Sequence, residues 1–167
     1  MGLFDKFKKK AAPVITFPLT LTASARGDAV EMADIPDEVF SSGALGACRG
    51  IKPSEGIIYA PIGGTIGQLS DTLHALSIEA DGGLEVLIHV GIDTVNMKGD
   101  GFAAKIKLGQ RVEQGQALLQ MDLAKIASAG YSDIVITAVT NEDEFASVKP
   151  TAETNMAPGI GMLVVSK

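Results

Sequence analysis

The chain has few of the residue types that mark several large protein classes. Of its 167 residues, one is cysteine and two are histidine, tryptophan is absent, and aromatic residues make up 5%. The single Cys48 excludes an internal disulfide and fits a reducing compartment, so we expect a cytoplasmic protein. No apolar run approaches the ~18 residues of a membrane-spanning helix, and no apolar signal segment follows the N-terminal charges. The length suits one globular domain.

Positive charge is scarce outside the N-terminal segment. The chain has 14 Lys and Arg against 20 Asp and Glu, which gives a net charge of −6. Residues 1–10 contain four lysines and one aspartate, a net +3, so the remainder of the chain carries −9. Surfaces that bind nucleic acid need clustered Lys and Arg to contact phosphates. The acidic body therefore argues against a nucleic-acid partner.

The N-terminal segment has a composition of its own, and we divide the chain into a tail, residues 1–18, and a domain, residues 19–167. Leu3, Phe4 and Phe7 share one face of a helix, while Lys6 and Lys8 to Lys10 supply positive charge. Residues 1–10 thus fit a weak amphipathic contact with an anionic membrane. They fit a soluble tail equally well.

Short apolar segments recur about every eight to twelve residues from Ala23 onward, with Gly, Pro, Asp or Ser between them. This spacing indicates an all-β, antiparallel sandwich or barrel with short helices, and not βαβ units. The predicted strands are residues 29–32, 57–60, 65–69, 76–80, 84–90, 103–106, 117–121, 134–139 and 162–165. Residues 122–129 form the best helical stretch, with Asp122 as the N-cap and Gly130 as the stop.

Both histidines flank a single turn signal, Asp81-Gly82-Gly83, within the stretch LHALSIEADGGLEVLIHVGID, residues 73–93. Apolar residues alternate with others before and after this turn, which predicts a β-hairpin. A two-residue loop would place His74 and His89 opposite or diagonal on one face, with their Cβ atoms within roughly 5–8 Å. A three-residue loop would place them on opposite faces.

Two neighbouring imidazoles are able to do more than support a fold. A neutral imidazole has a free ring nitrogen that acts as a nucleophile or a metal ligand. If one ring attacks a phosphoryl group, the other can hydrogen-bond the transferred oxygens and stabilise the charge that develops there. Two structural histidines are the alternative. Because the only two histidines fall in one hairpin, we favour the functional interpretation.

The segments around these histidines resemble one known family, the glucose-type IIA domain of the bacterial phosphoenolpyruvate:sugar phosphotransferase system. The resemblance runs from about Ala23 to the C-terminus. It implies a β-sandwich with a duplicated hybrid motif and the function of a phosphoryl carrier. The motifs are Gly64-Thr65-Ile66-Gly67, Thr72-x-His74-Ala75, His89-Val90-Gly91-Ile92-Asp93-Thr94-Val95 and Lys98-Gly99-x-Gly101-Phe102.

The resemblance implies a role for each histidine. His89 would accept a phosphoryl group on Nε2 from the phosphocarrier HPr and pass it to a cysteine of a IIB domain. His74 would orient the phosphoryl oxygens and matter more for donation than for acceptance. By two-residue parity Thr72 shares a face with His74, and Asp93 with His89, while Gly91 leaves room for a ligand or a close backbone. We therefore predict that Thr72, Gly91 and Asp93 contact the phosphate.

We expect an apolar rim around the site, because two partner proteins must dock there. HPr and IIB must each bring a side chain in line with the imidazole, and an apolar rim excludes water that would hydrolyse a phosphohistidine. We predict a rim of Val39, Phe40, Leu87 and Val95, although Val39 and Phe40 also fit an ordinary core. We expect a monomer that also binds regulated permeases or kinases.

Two residues depart from the family pattern. Arg49 occupies a place that is usually apolar, which leaves the packing around it open. Ser70 replaces a residue that is often aromatic on the surface facing the partner, so the rim is expected to be less apolar there.

No cofactor is expected for the transfer. Two histidines are too few for a closed zinc site, so zinc would bind His74 and His89 only together with a group from a partner. Two alternatives remain. A zinc hydrolase of the LytM type needs a third ligand and an H-x-H pair, which the sequence lacks. A purely regulatory binding protein is compatible with the carrier function.

Overall fold

A computed structural model of the protein describes residues 14–167, so the predicted membrane contact of residues 1–10 lies outside the described residues. The strands are β1 Leu19–Thr22, β2 Gly27–Val30, β3 Ala47–Pro53, β4 Ile57–Tyr59, β5 Gly64–Leu69, β6 Ala75–Ala80, β7 Glu85–Ile92, β8 Phe102–Ala104, β9 Arg111–Val112, β10 Ala117–Met121, β11 Ser132–Val139, β12 Ser147–Pro150, β13 Asn155–Met156 and β14 Gly161–Ser166. Two short α-helices, α1 Glu38–Ser41 and α2 Leu123–Ser128, complete the regular structure together with the 3-10 helices Met32–Asp34, Asp81–Gly83, Thr94–Met97 and Glu142–Glu144.

Three antiparallel sheets make up the fold. The largest has eight strands in the order β13-β2-β3-β11-β7-β6-β5-β9, and the two smaller sheets have the orders β1-β14-β12 and β4-β10-β8. The prediction of an all-β, antiparallel sandwich with short helices is confirmed.

Alternation along β7 explains how one strand serves both the core and the site. Val86, Ile88 and Val90 are fully buried in the main hydrophobic core. Leu87 and His89 lie between them in the sequence, so they project from the other face of the sheet. The residues that hold the strand in place thus face away from the residues that are available for chemistry.

The outer face of the sheet carries a second, smaller apolar cluster beside His89. Ile136 and Ala138 of β11 pack there with Phe40 and Cys48, while Val135 and Val139 belong to the main core. A strand buried on both faces is mostly apolar, as residues 135–139 are apart from Thr137, whose hydroxyl donates to that of Ser24. The segment that contains α1 therefore covers the face of the sheet from which His89 projects.

Arg49 ties β3 to the C-terminal part of the chain. The residue is only 1% exposed. Its Nε and Nη2 atoms donate to Oε1 of Glu31 at 3.0 and 2.7 Å, and Nη2 also donates to the Glu153 carbonyl at 2.7 Å. Its Nη1 atom donates to the Thr151 hydroxyl and the Met162 carbonyl, each at 3.2 Å. A charge buried to this extent persists because its donors are satisfied.

The sequence pattern misses β3, because Arg49 and Gly50 stand in its middle and hide the alternation. It also misses the two-residue strands β9 and β13 and the edge strands β1 and β12. The predicted helix at residues 122–129 is confirmed as α2. The Asp122 carboxylate accepts the backbone N–H of Lys125, and Gly130 follows the helix with a positive φ of 84°. Within residues 14–167 no helix combines the length and the apolar character that a membrane crossing requires.

Candidate functional site

The hairpin that carries the histidines has a three-residue turn, so the predicted two-residue loop is wrong. The turn residues are Asp81, Gly82 and Gly83, with Gly82 and Gly83 at positive φ. In the resulting register Ala75, and not His74, lies directly opposite His89.

The two imidazoles meet nevertheless. Their ring centroids lie 5.3 Å apart with the planes at 78° to each other. His74 precedes the first residue of β6, and Leu73 before it has a left-handed φ of 58°. Side chains alternate between faces only along regular extended backbone, so the parity argument stops at this turn. The turn at Leu73 therefore brings the two imidazole rings together, although the strand register alone would place them on opposite faces.

One hydrogen bond determines which nitrogen of His89 is free. The Nδ1 atom lies 2.6 Å from the carbonyl oxygen of Gly91. A carbonyl oxygen can only accept, so Nδ1 must carry the proton and donate it. In the neutral ring the lone pair is then on Nε2, as the resemblance implies for the phosphoryl acceptor.

Gly91 makes this contact possible because it has no side chain. It has a positive φ of 78° and is buried. A Cβ atom there would lie 2.4 Å from Cγ2 of Thr94 and 2.8 Å from the carbonyl oxygen of Ser132. The close-backbone alternative therefore describes Gly91, and the space beside it is filled by the chain itself.

Two hydroxyl groups hold the other histidine. The Nδ1 atom of His74 makes a short hydrogen bond with Oγ1 of Thr72, and a second hydrogen bond with Oγ of Ser70 at 3.2 Å. Thr72 thus contacts His74 directly. The sequence analysis placed Ser70 on the rim but missed its contact with His74, which depends on the turn between β5 and β6 and on the left-handed Leu73.

Burial keeps both rings neutral near neutral pH. It lowers the pKa of His89 below its ordinary 6.5, although the hydrogen bond to Gly91 and the charges of Asp37 and Asp93 act in the opposite direction. Burial, followed by the neighbouring charge of His89, lowers the pKa of His74 as well. A nucleophilic imidazole must be unprotonated, so these shifts favour the reactive form.

Asp37 and Phe40 approach His89 from the segment that contains α1. The Asp37 carboxylate caps this helix by accepting the backbone N–H groups of Val39 and Phe40 at 3.0 and 3.3 Å. The Phe40 ring is buried, and its centroid lies 5.2 Å from that of His89. Asp37 is a site residue that the sequence interpretation missed, and its signal was the N-cap position before a helical turn.

The other predicted rim residues differ in their exposure, and their contact with a partner remains a prediction. Val39 and Val95 are exposed to 50% and 45%, which is unusual for valine, and Leu87 is half-buried on the same face of β7 as His89. Phe40 is a wall of the site that also belongs to the second apolar cluster.

Asp93 does not continue the parity of β7. Gly91 and Asp93 both have positive φ, and Asp93 stands exposed at the start of the 3-10 helix Thr94–Met97. Its charge acts on His89, but its carboxylate accepts no hydrogen bond from the described residues. Its assignment to phosphate binding, like those of Thr72 and Gly91, remains a prediction.

The described residues contain no group of three or more His, Cys, Asp or Glu side chains arranged to hold a metal ion. Within this part of the chain His74 and His89 thus supply two imidazole nitrogens and no third ligand for the closed or three-ligand sites that zinc occupies in proteins.

A β-sandwich that presents a neutral imidazole beside a second one fits a class of phosphoryl carriers. A sequence model of the family described as the phosphoenolpyruvate-dependent sugar phosphotransferase system, EIIA 1, matches residues 19–145. The chain belongs to this family. Its function is that of a phosphoryl carrier in sugar uptake, and the resemblance to glucose-type IIA domains is confirmed.

Named relatives agree with the family. The chain is 38% identical over 170 residues to the PTS system glucose-specific EIIA component of Halalkalibacterium halodurans, covering 99% of this chain and 95% of the relative. Over 133 residues it is 38% identical to the PTS system beta-glucoside-specific EIIBCA component of Dickeya chrysanthemi, which covers 80% of this chain but 21% of that longer protein. Glucose permease IIA from Mycoplasma capricolum has a TM-score of 0.77 at 26% identity, covering 89% of this chain and 96% of that one.

Proposed function

We propose that His89 is the phosphoryl acceptor of this carrier and that Nε2 receives the group from HPr. The observation that supports the proposal most directly is the bond from Nδ1 of His89 to the Gly91 carbonyl at 2.6 Å. This bond leaves the lone pair on Nε2, and burial keeps the ring neutral. The Nε2 lone pair forms the new N–P bond while the bond between phosphorus and the donor breaks, so no cofactor enters the step.

His74 then acts on the phosphoryl oxygens. Its ring lies edge-on to His89 at 5.3 Å, and its Nδ1 atom is occupied by the hydroxyls of Thr72 and Ser70. The Nε2 atom of His74 is therefore the one that can donate to a phosphoryl oxygen. Such a donor stabilises the charge on the phosphoryl oxygens during transfer, and the resemblance to glucose-type IIA domains implies that this matters more for donation than for acceptance.

The acceptor of the second transfer is a cysteine of a IIB domain. Support comes from relatives named EIIBCA components, in which a segment similar to this chain belongs to one longer polypeptide. The exposed Val39 and Val95 form an apolar contact surface for either partner, and closure of that surface excludes water from the phosphohistidine.

Another protein of the pathway determines the sugar specificity. Relatives of this chain are named for glucose, for beta-glucosides and for raffinose at 36–38% identity. A phosphoryl carrier contacts its protein donor and its protein acceptor but not the sugar, so we assign sugar specificity to the permease. The single free thiol, Cys48, is buried and suits the cytoplasm.

Zinc would bind His74 and His89 only with a ligand from a partner.

Labelling tests the proposal. Purified chain is incubated with phosphorylated HPr, and acid-labile phosphate is measured on the wild type, on His89→Ala and on His74→Gln. We expect one phosphoryl group on the wild type and on His74→Gln, and none on His89→Ala. Stable labelling of His89→Ala would show that another residue is the acceptor.

A further inference from the structure

Ser70 occupies a fixed position next to His74. Its backbone N–H donates to the Ala75 carbonyl at 3.0 Å, and its own carbonyl accepts the N–H of Leu73 at 3.0 Å. Its hydroxyl oxygen accepts the N–H of Ala75 at 3.2 Å and lies 3.2 Å from Nδ1 of His74. Four hydrogen bonds thus hold one serine between the start of β6 and the imidazole that precedes it.

The bond from Ala75 favours the Ser70 hydroxyl as a donor to His74. Its oxygen already accepts a proton from the backbone of Ala75, which polarises the O–H group and makes it a better donor. The hydroxyl hydrogen is free to rotate towards the Nδ1 lone pair of His74. With the hydroxyl hydrogen in that position, the hydrogen bonds run from the Ala75 N–H through the Ser70 O–H to an unprotonated Nδ1 atom.

Thr72 alone does not establish this direction. Its hydroxyl can donate to Nδ1, which leaves the proton of His74 on Nε2, or it can accept a proton from Nδ1, which leaves Nε2 bare. Only the first arrangement lets Nε2 donate to a phosphoryl oxygen on His89. The hydroxyl of Ser70, acting as a second donor to Nδ1, favours the arrangement in which Nε2 carries the proton.

We propose that Ser70 is a positioning residue for phosphoryl transfer. It donates to Nδ1 of His74 and, together with Thr72, holds that ring as the Nε2–H tautomer. This inference rests on the proposed function of His89, and it adds a residue that acts through His74 without touching the phosphoryl group itself.

The tautomer of His74 is measured first, because it does not depend on phosphoryl transfer. Nitrogen-15 NMR of the imidazole rings at about pH 8, where histidine is neutral, distinguishes a protonated ring nitrogen from a bare one. We expect His74 of the wild type to show a protonated Nε2 and a bare Nδ1. In Ser70→Ala the two shifts should move towards each other as the other tautomer becomes populated, and Ser70→Thr should restore the wild-type shifts.

Transfer rates provide the second readout. In Ser70→Ala, donation from the phosphorylated chain to a IIB domain should fall about two- to tenfold, the range expected for one lost hydrogen bond. Acceptance from HPr should change by less than about twofold, and Ser70→Thr should recover donation. The matched control is Ser77→Ala in the neighbouring strand β6, because the Ser77 hydroxyl makes no hydrogen bond with the described residues.

The outcomes separate this inference from the proposed function. Unchanged His74 shifts in Ser70→Ala, or a wild-type ring already protonated on Nδ1, would overturn the role of Ser70 even if phosphoryl transfer proceeds normally. Slower donation without a change of tautomer would overturn it too, because that result indicates a structural effect. Absence of labelling in the wild type would refute the acceptor assignment, while the NMR shifts would still decide what Ser70 does to His74.

Discussion

The Nδ1 atom of His89 and the carbonyl oxygen of Gly91 are joined by a hydrogen bond of 2.6 Å within a single strand. The strand can make this bond because Gly91 has a positive φ of 78° and no Cβ atom. The contact orients the ring, places its proton on Nδ1 and leaves Nε2 free. A backbone irregularity of one residue therefore determines the chemistry of the histidine two positions before it.

The first prediction concerns that glycine. Gly91→Ala forces a side chain into a left-handed conformation and against Thr94 and the Ser132 carbonyl, so the free energy of unfolding should fall by about 3 kcal/mol. Labelling by phosphorylated HPr should fall with it. Denaturant titration measures the first effect. Gly109→Ala is the control, since Gly109 has a φ of 83° with nothing within 4 Å of the added Cβ, and it should cost only about 1–2 kcal/mol. Equal losses would show that the contacts of Gly91 are unimportant.

The second prediction separates the two histidines. His74→Gln should accept the phosphoryl group from HPr at close to the wild-type rate but donate it to a IIB domain at least about tenfold more slowly, because the oxygen donor is lost. Single-turnover measurements of each half-reaction test the expectation. Normal donation by this variant would argue against the role assigned to His74.

The third prediction is a dependence of stability on pH. Because the pKa of His89 is lowered by burial, the unfolded chain binds a proton below pH 6.5 before the folded chain does. The free energy of unfolding should therefore be constant above pH 6.5 with respect to this group. It should decline as the pH falls from 6.5 towards the folded pKa, and the rate of phosphoryl acceptance should decline as the pH falls through that lowered folded pKa. Denaturant titrations of the wild type and His89→Gln over this range test the sign. A steeper decline in His89→Gln than in the wild type would contradict it.

The fourth prediction concerns Arg49. Arg49→Met removes the donor to Glu31 and leaves the carbonyl oxygens of Met162 and Glu153 without it, so the free energy of unfolding should fall by about 3 kcal/mol. Arg26→Met is the control. The side chains of the ion pair Arg26–Glu55 are 48% and 39% exposed, and such pairs contribute less than about 1 kcal/mol. A small loss for Arg49→Met would show that the methionine packs well enough to replace the network.

Much of the fold could be predicted from local patterns. Alternation at residues 84–90 predicts β7, and the cap and stop at Asp122 and Gly130 predict α2. The pattern fails at β3, because the partners of Arg49 lie as far away as Glu153 and Met162, and no local rule relates residues at that separation.

The candidate site could likewise be predicted only in part from the sequence. The motif around His89 and the scarcity of histidine were enough to predict the pair, but the register derived from the turn was wrong by one residue. The contact of Ser70 with His74 was missed because it depends on the conformation of the turn between them, and Asp37 was missed because its charge reaches His89 from another segment.

What the amino-acid sequence alone determined is the strand pattern and the presence of two imidazoles on either side of one turn, because alternation and turn residues act locally. Only the tertiary structure decided that the rings meet despite a three-residue loop and which nitrogen of His89 is free. Both depend on left-handed residues, Leu73 and Gly91, whose conformations are held by hydrogen bonds and packing that the sequence pattern does not reveal.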